Sequence, residues 1–373
     1  MSRGRFERKK QKPKAGKTIL IVLAVILALV LAAAAAGIYY YNSMLNRMDH
    51  VEVPKIQYTT AATTEPVETT DAATEETTEA TTIATEPPHV ASPEDYVNIL
   101  LVGQAARPGE AERHADTMIL VTLNKYEKTI STTSILRDTL VQRSGTFKGH
   151  TYGGGKINAM YHMGYTWDGV AGSMAVMNQI LYDNFGIEVD HNFEVDFDAF
   201  MEIVNLLGGV EVELTKAEAD YLNAEDFWVY HDVEPGLQKL DGMTALTYAR
   251  MRKAEGDSES DIVRTERQRK VITAILDKVK TKSISDLQKM ANKVLPYVTT
   301  SMSNSEITDL LLTVLPMVSE LKIVSSGTCP AQGTYHGDVV DIYKNGYPQS
   351  ILRFNEQENK KIMRALTEGE GIQ

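Results

Sequence analysis

Cysteine occurs once in 373 residues, at Cys329. No intrachain disulfide can therefore staple the chain, and a protein of this length must rely on a hydrophobic core. Several catalytic signatures are missing too. The eight histidines form no HExxH pair and there is no GxSxG, which removes the usual supports for zinc and serine hydrolysis. The run GGGK at 153–156 is not a Walker loop, because His150 stands where the earlier glycine is needed and Ile157 where a Ser or Thr is needed. No internal repeat is visible. Basic residues are outnumbered, 38 Lys and Arg against 50 Asp and Glu, for a formal net charge of -12.

Residues 19–41, ILIVLAVILALVLAAAAAGIYYY, lack both charge and proline. At about 1.5 Å per residue they span roughly the 30 Å hydrocarbon core, so they read as a transmembrane helix. The preceding flank holds eight Lys and Arg against one Glu, which places the N-terminus in the cytoplasm and everything after Tyr41 outside the cell. A cleaved signal peptide is the alternative, with the small residues at 32–37 imitating a cleavage site. The apolar stretch exceeds a signal core, however, and Tyr39, Tyr40 and Tyr41 suit an interfacial anchor.

Between 51 and 90 large apolar side chains almost vanish and Lys55 is the only basic residue. Such a segment cannot bury enough surface to offset its ordering entropy, so it reads as a disordered, self-repelling spacer. The expected organisation is a basic cytoplasmic tail at 1–18, a membrane helix at 19–41, a Thr/Glu-rich extracellular linker at 42–91 and a folded domain at 92–373.

In the folded part, apolar or β-branched runs at 96–102, 117–123 and 129–136 predict strands. Residues 167–186 repeat apolar positions at helical spacing up to Gly186, and 192–214 reads strand, helix, Gly-Gly break, strand. Helices are expected at 241–249, 261–279, 284–298, 303–315 and 356–366, with a short strand at 321–326. Interleaving on this scale implies an α/β fold with its sheet buried on both faces.

Within that background the segment 246–270 concentrates Arg250, Arg252, Arg264, Arg267, Arg269 and two lysines. Arg250 and Arg252 are two apart, so in extended chain they project on one side. Asp261 looks like the N-cap of the next helix, whose Arg264, Arg267 and Gln268 stand three and four apart on one face. Cations at a helix start oppose the dipole, which suggests an anionic guest, and guanidinium forks suit a phosphate or pyrophosphate. The alternative is a solvated network with Glu255, Asp257, Glu259 and Glu266; this stretch alone does not decide. Elsewhere Arg107, Asp116, Arg137 and Asp138 fall at strand ends or adjoining loops, where α/β sheets collect ligand-binding groups. Asp116 could ligate Mg²⁺, although turn chemistry is the commoner role of such an Asp.

The segments NILLVG, ADTMILVTLN, SILRDT, KINAMY, VDFDAFMEIVNLLGGVEVEL, LDGMTALTYARMR and DIVRTERQ occur in the order found in the LytR-CpsA-Psr family of cell-wall assembly proteins, which residues 96–334 resemble. That resemblance implies an α-β-α sandwich with a mixed central sheet and an apolar channel for a lipid tail. It implies an Mg²⁺-dependent phosphotransferase of the Gram-positive wall, attaching a glycopolymer of teichoic acid or capsule type from a polyprenyl-pyrophosphate carrier to peptidoglycan through a phosphodiester. By resemblance Arg137, Arg250, Arg252, Arg264 and Gln268 fall on pyrophosphate-binding positions, Asp116 on a magnesium position, and Asp138 and Asp261 on acidic positions of the same site. Arg107 and Arg267 join the candidate phosphate-binding set. Arg137, Asp138 and Arg264 are the candidate catalytic residues, Asp138 to orient or deprotonate an acceptor sugar hydroxyl and Arg264 to stabilise charge.

The chain departs from the family's first loop, Gly-x-Asp-x-Arg, because Ala105 stands where the carboxylate belongs. His114 occupies a usual Arg position, with Arg113 one residue earlier. Losing an anionic ligand weakens Mg²⁺ binding, so the second reading is a non-catalytic protein that holds lipid-linked polymer or scaffolds wall machinery. Nucleic acid is not an expected partner: the domain is expected outside the cell, and the arginines lack a helix-turn-helix context.

Overall fold

The computed structural model describes residues 39–54, 92–104, 113–224, 232–252, 254 and 260–369. The chain divides into two compact units, Met1–Arg47 and Met48–Gln373. In the first, residues 39–45 are helical. All but the last three residues of the expected span at 19–41 lie outside the described residues, as does 55–91. No described helix is long and apolar enough to cross a membrane.

The second unit runs β1 (Asp49–His50), β2 (Tyr96–Gln104), β3 (Ala115–Asn124), β4 (Thr129–Ile135), β5 (Gly145–Phe147), β6 (His150–Tyr152), α1 (Ile157–Phe185) and β7 (His191–Asp196). There follow α2 (Phe197–Leu206), β8 (Val210–Leu214), α3 (Lys216–Ala224), β9 (Gly236–Leu240), α4 (Gly242–Arg250) and α5 (Ser260–Lys280). The chain closes with α6 (Ile284–Val294), β10 (Val298–Thr300), α7 (Asn304–Val314), β11 (Lys322–Cys329), β12 (Tyr335–Val340), β13 (Gln349–Phe354) and α8 (Glu356–Glu368).

Seven strands form one mixed sheet in the order β1-β10-β7-β2-β3-β4-β11. β2 pairs parallel with β7 and antiparallel with β3, while β4 pairs antiparallel with β3 and parallel with β11. Side chains alternate between faces along each strand. Leu100, Val102, Met118, Leu120 and Ile135 face a core shared with α1 and α8. On the opposite side of β4, Ser134 accepts from Arg269 of α5 at 2.9 Å, so helices cover both faces. A second core, of Val204, Val210, Val212, Leu222, Tyr248, Val271 and their neighbours, joins α2 to α5 with the β8–β9 hairpin. Cys329 is fully buried in the first core, and burial pushes its thiol well above the usual value.

The structure corrects the sequence reading in several places. The folded unit recruits Asp49 and His50, assigned above to the linker, as an edge strand beside Thr299 and Thr300. Two residues carry no periodicity, so nothing marked them. The expected helix at 284–298 stops at Val294, because Pro296 cannot continue it, and β10 begins at Val298. The helix expected from residue 167 begins ten residues sooner and is broken at Asp168 and Gly169, where φ and ψ of Gly169 are 60° and −150°. α5 starts at Ser260, so Asp261 lies inside its first turn and not at the cap.

Candidate functional site

The carboxyl ends of β2, β4 and β7 and the first residues of β3 meet at one edge of the sheet, the place where open α/β sheets hold ligands. β2 and β3 lose register there: Gly103 opposes Thr117, yet Gln104 opposes Ala115. Asp116 is the extra residue of this bulge, a device that re-aims a side chain. It lines a cavity of about 370 Å³ shared with Arg250, Arg252, Arg264 and Gln268. Phe197, Tyr221, Met243 and Leu246 supply an apolar wall to the same cavity.

Different local structures deliver the cations. Asp241 caps α4 by accepting from the Thr244 N–H at 2.8 Å, and the helix ends at Arg250, whose guanidinium lies 4.8 Å from the Phe197 ring centroid. Such stacking fixes the fork while leaving its N–H edges available. Arg252 follows past the helix end, so the pair converges at a helix terminus and not along the extended chain that its spacing suggests. Arg264 and Gln268, one turn apart on α5, are 4% and 7% exposed, which sets a charged fork in a low-dielectric wall.

Arg137 and Asp138 follow β4 directly. Arg137 Nη1 lies 3.3 Å from Asp116 Oδ1 and its Nε 3.8 Å from Asp138 Oδ1. Lys156, at the N-cap of α1, places Nζ 2.9 Å from Asp138 Oδ1. A charge ladder Asp116–Arg137–Asp138–Lys156 thus leads away from the cavity. Lys156 is not among the expected site residues: with the helix expected only from residue 167, nothing local marks it as a helix cap.

Among the described candidates, Arg267 is turned to a different partner. Arg267 is 2% exposed and does not line the cavity. It donates through Nε to Glu218 Oε1 at 2.8 Å and through Nη1 to the Met251 carbonyl at 3.4 Å. Tyr248 donates to the same carboxylate oxygen at 3.2 Å. Burial pushes the Glu218 carboxyl up, but the Thr215 N–H and the Arg267 guanidinium bring it below its usual value, while burial and Glu218 raise the Tyr248 phenol. Arg107, together with Ala105, lies outside the described residues. Of Asp261 only the backbone is described.

Arg113, the residue before His114, is not among the residues that line the cavity. Its Nη2 sits 2.9 Å from Glu194 Oε1 and its guanidinium 4.8 Å from the Tyr165 ring centroid. Glu194 also accepts from Tyr161 at 2.6 Å; burial raises its carboxyl, and Tyr161 and Arg113 oppose that. Gln104, next to Ala105, is 1% exposed, and neither of its amide atoms has a hydrogen-bond partner among the described residues. Among the described residues no group of three or more His, Cys, Asp or Glu could hold a metal. Asp116 could hold Mg²⁺ in a site completed by ligand oxygens. Magnesium commonly accepts that arrangement, because it binds through one or two carboxylates plus substrate phosphates.

The LytR_cpsA_psr family model matches residues 56–364. The chain is 33% identical over 217 residues to the Bacillus subtilis protein named polyisoprenyl-teichoic acid–peptidoglycan teichoic acid transferase TagV, covering 56% of this chain and 50% of that one. The match therefore spans about half the length of that relative. A solved structure described as TagT bound to LIIa-WTA superposes with a TM-score of 0.54 at 26% identity, covering 76% of this chain and 93% of that chain. Another, a LytR-CPS2A-psr family protein with bound octaprenyl pyrophosphate lipid, gives 0.51 at 24% identity over 74% and 95%; that likeness is one of fold.

Proposed function

This chain belongs to the LytR-CpsA-Psr family, and from that premise we propose that it is a membrane-anchored extracellular phosphotransferase moving a glycopolymer from a polyprenyl-pyrophosphate carrier to peptidoglycan. The observation that carries this reading is the gathering of Arg250, Arg252, Arg264, Gln268 and Asp116 on one cavity beside Phe197, Met243 and Leu246. Guanidinium forks suit the diphosphate, and the apolar wall suits the first isoprene units. The proposed polymer is of the teichoic acid class, that of the relative TagV, which is named as a teichoic acid transferase.

In the proposed reaction an acceptor sugar hydroxyl attacks the polymer-bearing phosphorus. A new P–O bond forms, the bridging P–O bond breaks, and polyprenyl phosphate leaves with the bond's electron pair. Phosphoryl transfer needs mainly positioning and charge neutralisation. Arg250, Arg252 and Arg264 hold the diphosphate and offset charge on the bridging oxygen. Asp138, held by Arg137 and Lys156, orients the hydroxyl and takes its proton. Asp116 would hold Mg²⁺ together with phosphate oxygens, where the ion would neutralise further negative charge. The anchor at 19–41 would keep the domain beside the lipid's membrane.

The test is transfer by the full chain from lipid-linked polymer to peptidoglycan, with and without Mg²⁺. Arg264→Ala should lower transfer about a hundredfold or more; turnover near that of the native protein would remove Arg264 from the mechanism. Ala105 favours a second reading, a protein that binds the carrier without turning it over. That reading predicts binding without transfer in the native chain and gain of transfer in Ala105→Asp.

A further inference from the structure

Beyond the ladder's last cation lies a feature that the diphosphate cavity does not use. β13 is joined to the catalytic segment by backbone: Leu352 N donates to the Asp138 carbonyl at 2.9 Å and Leu140 N to the Leu352 carbonyl at 2.9 Å. The loop between β12 and β13 is therefore carried on the residues that follow β4. It is also organised from within. Asp341 accepts from the N–H groups of Asn345 and Gly346 at 3.1 and 2.7 Å, and Asn345 accepts from Tyr347 N at 3.1 Å.

This loop displays Tyr343 and Tyr347, 50% and 72% exposed. Tyr343 leans over the residue before Lys156, so closely that a Cβ on Gly155 would lie 3.2 Å from its hydroxyl oxygen. The sequence of groups away from the cavity is thus Asp116, Arg137, Asp138, Lys156, then Tyr343, with Tyr347 four residues further along the same loop.

We propose that Tyr343 and Tyr347 form a docking platform for the acceptor glycan, stacking on its sugar rings while one hydroxyl reaches Asp138. The proposal rests on the transferase reading for the direction of the ladder: the diphosphate occupies the arginine end, so the acceptor approaches from the Asp138 end. The chemistry of the loop supports a sugar. Exposed tyrosines offer flat apolar faces with a polar rim, and Lys344 is balanced by Asp341, so the loop has little charge to attract a phosphate. A membrane surface would favour clustered Lys and Arg beside the aromatics, which this loop lacks.

The experiment compares the full chain with Tyr343→Ala/Tyr347→Ala and Tyr343→Trp/Tyr347→Trp. It measures binding to purified peptidoglycan glycan strands, to polyprenyl pyrophosphate and to anionic lipid vesicles. Expected is a loss of glycan affinity of about tenfold in the Ala pair, retention in the Trp pair, and unchanged polyprenyl pyrophosphate binding in both. Glycan affinity unchanged in the Ala pair, no glycan binding by the native chain, or loss confined to vesicle binding would each overturn the proposal. Glycan binding that depends on the tyrosines in a chain without transfer activity would remove the transferase reading and leave the platform standing.

Discussion

Arg267, sealed from water, has a carboxylate within reach in Glu218, with side chains 2% and 5% exposed. Arg264, three residues earlier, lines the cavity. From Arg264 the helix turns roughly 60° one way to Arg267 and roughly 40° the other way to Gln268. Spacing alone put all three on one face; the choice between them was made by a carboxylate 49 residues away, which no local pattern displays. The same partition separates stability from binding. Glu218→Gln should destabilise the fold by about 3 kcal/mol, since it strands a buried cation, and adding Arg267→Met should recover much of that loss. Denaturant titrations of the two single variants and the double variant check both. The Glu218 carboxyl is held below its usual value, so its contribution is full above the unfolded carboxylate value of ~4.3 and disappears as pH falls through the lower folded value. The stability gap between native and Glu218→Gln proteins should therefore be constant near neutrality and close in acid.

Elements were easier to read than contacts. β2, β3, β4, α4 and α8 start within two residues of where periodicity and capping placed them. What escaped was break and bulge: the interruption of α1 at Asp168 and Gly169, and the register shift that re-aims Asp116, both of which depend on packing partners. Gly164 and Gly172 show why the break holds. A Cβ on Gly172 would overlap the Gly164 carbonyl oxygen, and one on Gly164 the Gly172 carbonyl, so the two halves of α1 meet backbone to backbone. Helix propensity alone would make Gly172→Ala stabilising by about 1 kcal/mol. The overlap is with main chain, which cannot rotate away, and overpacking of this kind costs about 1–3 kcal/mol, so a net loss of up to about 2 kcal/mol is expected. A denaturation midpoint equal to or above that of the native protein would show that the halves can separate freely.

At the scale of the whole molecule a cationic cavity sits in a chain with a formal net charge of -12. The composition thus points away from the ligand class that the cavity suits, and only the ordered motifs and the local arginine density carried the site. The cavity is walled by β3, which shares the first core, and by α2, α4 and α5, which build the second. A ligand held there ties the two cores together and must raise the unfolding temperature by linkage. At a concentration one hundred times its Kd, the gain is about 2.7 kcal/mol, or roughly 4 to 5 °C for a domain of this size. Geranyl pyrophosphate carries both the diphosphate and an apolar tail, inorganic pyrophosphate only the charge, and geraniol only the tail. Thermal unfolding should respond to geranyl pyrophosphate most, to inorganic pyrophosphate less and to geraniol least, with the response weakened in Arg264→Ala. Because Arg250 and Arg252 are exposed while Arg264 and Gln268 are buried, raising salt should reduce the inorganic pyrophosphate shift without erasing it. Equal shifts from geraniol and geranyl pyrophosphate would mean that the arginines of this cavity do not hold the diphosphate.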